Sequence, residues 1–233
     1  LEHPAHNRQV HGSSPWGPTN LGEKMRDYKW GLEEESGEIV RKIASPVENS
    51  SADEHNLVEF SGNNIFFYST VSRPKILKLN KAMINLQNNL NSRALTFNSD
   101  KPESIRLHIN SYGGSVFAGL AAVDYILTSK VPVETIVEGC AASAATLMSV
   151  VGSKRYMHRN SCMLVHQLSG HMWGKYQEME DDMENSKMLM NKIKDLYKKH
   201  TKIPKNKLDE ILKRDIWWDA KQCLEYGLID EII

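Results

Sequence analysis

The chain has no surplus of charge, its 29 lysines and arginines matching 29 aspartates and glutamates. No strong field draws it to nucleic acid or to an anionic membrane, and neither is expected among its partners. It has only three cysteines, Cys140, Cys162 and Cys223, an odd number without metal-ligand spacing. That excludes a disulfide framework and suits a reducing, cytoplasmic setting. No apolar run approaches the roughly 20 residues that span a bilayer, and the N-terminus carries no signal-peptide core. Internal repeats are absent. Residues 1–60 also lack apolar periodicity, with Pro4, Pro15 and Pro18, several glycines and the polar tract Ser45 to Ser51. They are expected to form a largely irregular N-terminal extension, with a short helix around Glu38 to Ala44. His3, His6 and His11 read as solvated imidazoles of a polar tail, so no metal is expected. Trp16, Tyr28 and Trp30 are of the kind that dock on a neighbouring subunit.

What is present begins near Leu57. With 233 residues and 40% hydrophobic content the chain can bury one good core. Ile65 to Tyr68 reads as a strand. After Pro74, a first-turn proline, Ile76, Leu79, Met83, Leu86 and Leu90 recur at helical spacing, followed by a polar loop from Asn91 to Lys101. Ile105 to Ile109 alternates as a second strand. The turn Asn110-Ser111-Tyr112-Gly113-Gly114 then enters a helix carrying Val116, Leu120, Val123 and Ile126. Val133 to Val137 is the next strand, and a segment of small and apolar residues runs as a helix to about Val151. Strand, helix, strand, helix at this interval predicts an α/β fold with parallel crossovers. Short strands are expected at Lys154 to Met157 and Cys162 to Val165, a long Met-rich helix from Tyr176 to Lys199, another from Pro204 to Arg214, a short one ending near Tyr226, and a last strand from Leu228 to Ile232.

Ser143 falls where a strand passes into a helix, flanked by glycine and alanines. A serine there has an open hydroxyl, with helix N-terminal N–H groups at hand for an oxyanion. Close packing of a helix against a neighbour explains the same small residues. The Gly113-Gly114 turn bares backbone N–H groups, yet most such turns are only turns. His166 ends an apolar strand and Asp215 follows a helix. Serine needs an adjacent base, and the base needs a carboxylate to fix its tautomer. By position alone, a lone histidine on an apolar strand is more often a buried, hydrogen-bonded core residue, and a lone aspartate at a helix end more often a cap.

Four segments in order resemble the ClpP family, the proteolytic subunits of the ATP-dependent Clp protease. They are Ile109 to Gly114, Gly139 to Ser143, Asn160-Ser161 to His166-Gln167, and Arg214-Asp215 followed by Glu225 to Asp230; the likeness spans about residues 61–233. The resemblance implies an α/β, ClpP/crotonase-like fold of repeated ββα units forming a head, with a long handle helix and its preceding strand. It implies a serine endopeptidase with Ser143 as nucleophile, His166 as general base and acid, and Asp215 as its orienting carboxylate. Gly114 and Ala144 would supply the oxyanion-hole N–H groups. Extended peptides would bind along Gly113, Ser115, Gln167, Leu168 and Ser169. It further implies self-association into heptameric rings stacked as a tetradecamer, an AAA+ unfoldase of ClpX or ClpA type as partner, unfolded proteins as substrates, and no cofactor, ATP being used only by the unfoldase.

The chain also departs from the family's pattern. Tyr112 stands where the family has proline and Ala144 where it has methionine. The handle reads Gln167-Leu168-Ser169-Gly170-His171 in place of a Gln-Pro-x-Gly-Gly pattern. Arg106, His108 and Thr128 occupy positions that in the family give aromatic walls to the unfoldase docking pocket. These departures support a second reading, a partner-independent maturation protease, virus- or plasmid-encoded. A crotonase-like acyl-CoA enzyme and an inactive ring subunit are weaker alternatives, because serine, histidine and aspartate are all present.

Overall fold

A computed structural model describes residues 58–99 and 102–233. The expected short helix at 38–44, the three tail histidines, Trp16, Tyr28 and Trp30 lie outside the described residues. The chain opens with a hairpin of β1 (Val58–Ser61) and β2 (Asn64–Phe67), turned at Gly62 with φ of 61°. Helix α1 (Arg73–Thr96) follows, with Pro74 in its first turn and the expected stripe of Ile76, Leu79, Met83, Leu86 and Leu90 all buried. It runs to Thr96, into the expected polar loop, because Arg93, Ala94 and Leu95 are good helix formers and continue the ladder after the last buried residue.

Strand β3 (Ile105–Ser111) alternates as its sequence requires, with Ile105, Leu107 and Ile109 fully buried. Each such side chain contributes about 1.5–3 kcal/mol by leaving water. Helix α2 (Val116–Thr128) crosses over to β4 (Val133–Ala142), and β2, β3 and β4 run parallel, as the alternation of elements predicts. β4 is longer than its β-branched run. Its first half pairs with β5 (Arg155–Met157), and its second half, from Cys140, pairs with β6 (Cys162–Leu164). The changeover falls at Gly139, whose φ is 70° and where an added Cβ would lie 3.0 Å from the Asn110 side-chain nitrogen. Ser161, buried beside the break, accepts from the Gly139 N–H and donates to the Val137 carbonyl.

Helix α3 (Ala144–Val150) is buried along its whole length. Helix α4 (Tyr176–His200) has 25 residues, so it is about 37 Å long. Only Leu189, Ile193 and Tyr197 of α4 are buried; its N-terminal half leaves Met179 and Met183 exposed. Residues 167–174, expected to hold the handle strand, form no strand, since no other strand among the described residues lies beside them to complete a ladder. Helix α5 (Lys205–Leu212), β7 (Trp217–Asp219), α6 (Ala220–Glu225) and β8 (Glu231–Ile232) complete the described chain. β7 pairs antiparallel with β6, and β8 parallel with β5. No helix among the described residues is long and apolar enough to cross a membrane.

Candidate active site

Ser143 is the single residue between β4 and α3, at φ 53° and ψ −125°. A non-glycine residue pays about 1–3 kcal/mol to sit in so sparse a region, and persists there only when its surroundings hold it. They do so from both sides. The Ser143 N–H donates to the Leu164 carbonyl of β6 at 3.0 Å. The Ser143 carbonyl accepts from the Thr146 N–H at 3.0 Å and from the Thr146 hydroxyl at 2.6 Å. The outcome is a serine at the tip of a turn, with its backbone spoken for and the first N–H groups of α3 beside it.

The Gly113-Gly114 turn lies against this elbow. An added Cβ on Gly113 would come within 2.7 Å of both the Ala142 oxygen and Ser143 Cβ, and 3.1 Å from the Ala144 nitrogen. At Gly114, with φ of 141°, it would meet the Val71 oxygen at 2.4 Å. Val71 clamps the turn in parallel fashion: its N–H donates to the Gly113 carbonyl and its carbonyl accepts from the Ser115 N–H, both at 2.7 Å. That pattern leaves the Gly114 N–H outside the bridge. Glycine is therefore required at both positions, and the turn it allows packs directly on the Ser143 elbow.

His166 follows β6, and its Nδ1 lies 3.1 Å from Asp215 Oδ1, across the gap between α5 and β7. The imidazole is nearly enclosed, while the carboxylate is half exposed. Burial holds the His166 pKa below its ordinary value, outweighing the upward pull of Asp215. The ring is thus neutral at pH 7, with its proton on the nitrogen that faces the carboxylate and a lone pair on Nε2. That Nε2 is buried without a hydrogen-bond partner. His166 and Ser143 line the same small cavity of about 10 Å³, walled by Val116, Ala144, Leu147 and Leu168. No hydrogen bond joins the Ser143 hydroxyl to His166 Nε2 in this structure.

The other sequence-derived positions divide. The Ser115 side chain caps α2 by accepting from the Ala118 N–H at 3.4 Å. The Gln167 N–H donates to the Leu212 carbonyl at 2.7 Å, and the Leu168 N–H faces Met190 Sδ at 3.1 Å, so both main-chain donors are engaged within the chain. Ser169 Oγ is buried without a partner. Gln167 to Met172, with Met183 and Met190 of α4, line a groove of about 580 Å³ that shares Gln167 and Leu168 with the serine cavity. Among the described residues no three His, Cys, Asp or Glu side chains are placed to hold a metal ion together.

Arg106, His108 and Thr128 lie away from this cavity. Arg106 is 3.7 Å from Glu134, and the Thr128 hydroxyl donates to the Asp124 carbonyl. His108 stacks on Phe66 with ring centroids 4.5 Å apart, and its Nδ1 lies 2.7 Å from Glu138. The same carboxylate takes the Tyr68 hydroxyl and His158. Burial pushes the Glu138 pKa up, but the bonds from Tyr68 and His108 outweigh it and hold the carboxyl below its usual range. Sequence reasoning did not find this cluster, whose members come from β2, β3, β4 and the loops that follow β2 and β5.

Residues 63–233 match the Clp protease family model. The ATP-dependent Clp protease proteolytic subunit of Deinococcus radiodurans is 34% identical over 151 residues, covering 64% of this chain and 74% of that protein. The subunit of the same description from Streptococcus mutans is 34% identical over 172 residues, covering 71% and 88%. In three dimensions the chain is similar to a point mutant of ClpP1 from Listeria monocytogenes, with a TM-score of 0.64 and 23% identity over 74% of this chain and 91% of that one.

Proposed function

The chain belongs to the Clp protease family, and from that premise we propose that it is a serine endopeptidase that cleaves unfolded proteins or peptides with Ser143, His166 and Asp215. The observation that carries the proposal is the strained Ser143 elbow at the start of α3 with the Gly113-Gly114 turn packed against it. In the reaction, Ser143 Oγ attacks the scissile carbonyl carbon while His166 Nε2 takes its proton. Asp215 steadies the imidazolium. The Gly114 and Ala144 N–H groups take the negative oxygen of the tetrahedral intermediate. His166 then hands its proton to the departing amine, and water, deprotonated by the same nitrogen, releases the acyl group. A fluorophosphonate probe tests this directly: Ser143 is labelled in the wild type, and absence of labelling at neutral pH ends the proposal. A crotonase-like hydratase would not react.

Self-association into stacked heptameric rings is proposed on family grounds, and the exposed Met179 and Met183 of α4 suit an adaptable contact between copies. The face at Arg106, His108 and Thr128 favours a partner other than a standard unfoldase. An apolar docking loop would have to displace the His108–Glu138 contact and leave a partly buried carboxylate without it. Mixing the chain with a ClpX- or ClpA-type ATPase and a folded substrate tests this; ATP-dependent degradation would refute it. Failure to degrade, with peptide cleavage intact, would favour the partner-independent reading.

A further inference from the structure

Tyr197 is one of three buried residues in the C-terminal half of α4, and its hydroxyl is hydrogen-bonded to Thr146 Oγ1. Thr146 is itself fully buried in the first turn of α3, and its hydroxyl donates to the Ser143 carbonyl. A threonine hydroxyl has one proton. With that proton spent on Ser143, Thr146 Oγ1 can only accept from Tyr197, so the order is Tyr197 O–H to Thr146 O–H to Ser143 C=O. Burial pushes the Tyr197 phenol above its ordinary value, so it stays a donor across the working pH range. Each bond in such a chain polarises the next.

The Ser143 carbonyl and the Ala144 N–H belong to one planar trans peptide, in which the two bonds point in opposite directions. Fixing the oxygen therefore fixes the N–H. We propose that Tyr197 is a positioning residue for the oxyanion hole: acting through Thr146 it anchors the Ser143 carbonyl, and so aims the Ala144 N–H at the oxygen that becomes negative during peptide cleavage. The inference rests on the peptidase reading above. It also ties α4 to the nucleophile, because the helix that carries Tyr197 is the one whose other half stands out from the body.

The test uses the full chain in its native assembly state, with Tyr197→Phe, Thr146→Val and Thr146→Ser beside the wild type. Tyr197→Phe removes one oxygen and keeps the ring in the core. Turnover of a fluorogenic peptide gives kcat and KM, and a peptide boronate, whose adduct on Ser143 is tetrahedral, reports on the oxyanion hole. Expected for Tyr197→Phe and Thr146→Val is a fall in kcat of about tenfold or more with KM nearly unchanged, a smaller loss than deleting a donor outright. Boronate affinity should weaken in proportion, and Thr146→Ser, which keeps the hydroxyl, should restore most of the rate. Unchanged kcat and boronate affinity in folded Tyr197→Phe, a loss confined to KM, or equal losses in Thr146→Ser and Thr146→Val would each overturn the inference. A wild type without Ser143-dependent turnover would instead overturn the peptidase reading, and that result is visible before any variant is compared.

Discussion

His166 Nδ1 stands 3.1 Å from Asp215 Oδ1, but the histidine is nearly enclosed and the aspartate is half in water. Burial lowers the His166 pKa and Asp215 raises it, with burial the larger. The acid limb of the kcat/KM profile should lie below the ordinary histidine value, with activity rising as pH passes upward through it. Asp215→Asn removes the raising influence, so the limb should move to still lower pH, while the plateau drops by up to about 10⁴-fold through loss of the correct tautomer. A pH–rate series on both proteins checks the direction and the drop.

The same burial bears on stability. A histidine whose folded pKa lies below its unfolded value binds fewer protons when folded, so its contribution is intact above the unfolded pKa and is lost as pH falls through the folded one. Unfolding midpoints should decline below about pH 6.5, the ordinary histidine value. His166→Gln should flatten that decline. Denaturant titrations at several pH values measure it.

Ser143 carries backbone strain that glycine would not. Ser143→Gly should be inactive and yet more resistant to unfolding than Ser143→Ala, by about 1 kcal/mol, since only glycine occupies positive φ at little cost. Thermal or chemical unfolding of the two inactive variants decides it.

Gly114 has no room for a methyl group, with the Val71 oxygen 2.4 Å from where a Cβ would lie. Gly114→Ala should push the turn away from the elbow and misplace one oxyanion donor, lowering kcat by about 10²–10³, or 2.7–4 kcal/mol of transition-state stabilisation. Steady-state kinetics beside a circular dichroism check of folding tests this.

The triple change Arg106→Tyr, His108→Tyr and Thr128→Phe would put aromatic side chains at the proposed unfoldase-docking positions. It should leave small-peptide cleavage within about twofold, since these positions are remote from Ser143, and confer ATP-dependent degradation by a ClpX-type unfoldase. A folded fluorescent substrate reports the gain.

Much of this architecture was legible where one periodicity dominates. The α1 stripe and the alternation of β3 each declare a single buried face, and both form as read. The second half of β4 was not legible, because Gly139-Cys140-Ala141-Ala142 has no strand propensity of its own and becomes a strand by pairing with β3 and β6. β7 was missed for a different reason: tryptophan favours strands, but Trp217 to Asp219 is too short a run to show a period, and pairing with β6 defines it. The handle strand was expected from family likeness, and residues 167–174 have no partner strand among the described residues. At the site, motif order pointed to Ser143, His166 and Asp215, whereas nothing in the sequence singled out Tyr197. It is in step with Leu189 and Ile193, and its one distinguishing mark is a phenol carried into that stripe, where a buried hydroxyl demands an acceptor.

The exchange of neighbours along β4 at Gly139 has a mechanical corollary. The edge formed by β5 and β8 grips only the upstream half of that strand, so it can fray without loosening the amide of Ser143, which is tethered to Leu164 instead. Thermal breathing at the periphery is thereby insulated from the reacting atoms, and deuterium should enter the backbone of residues 155–157 well before it reaches position 143.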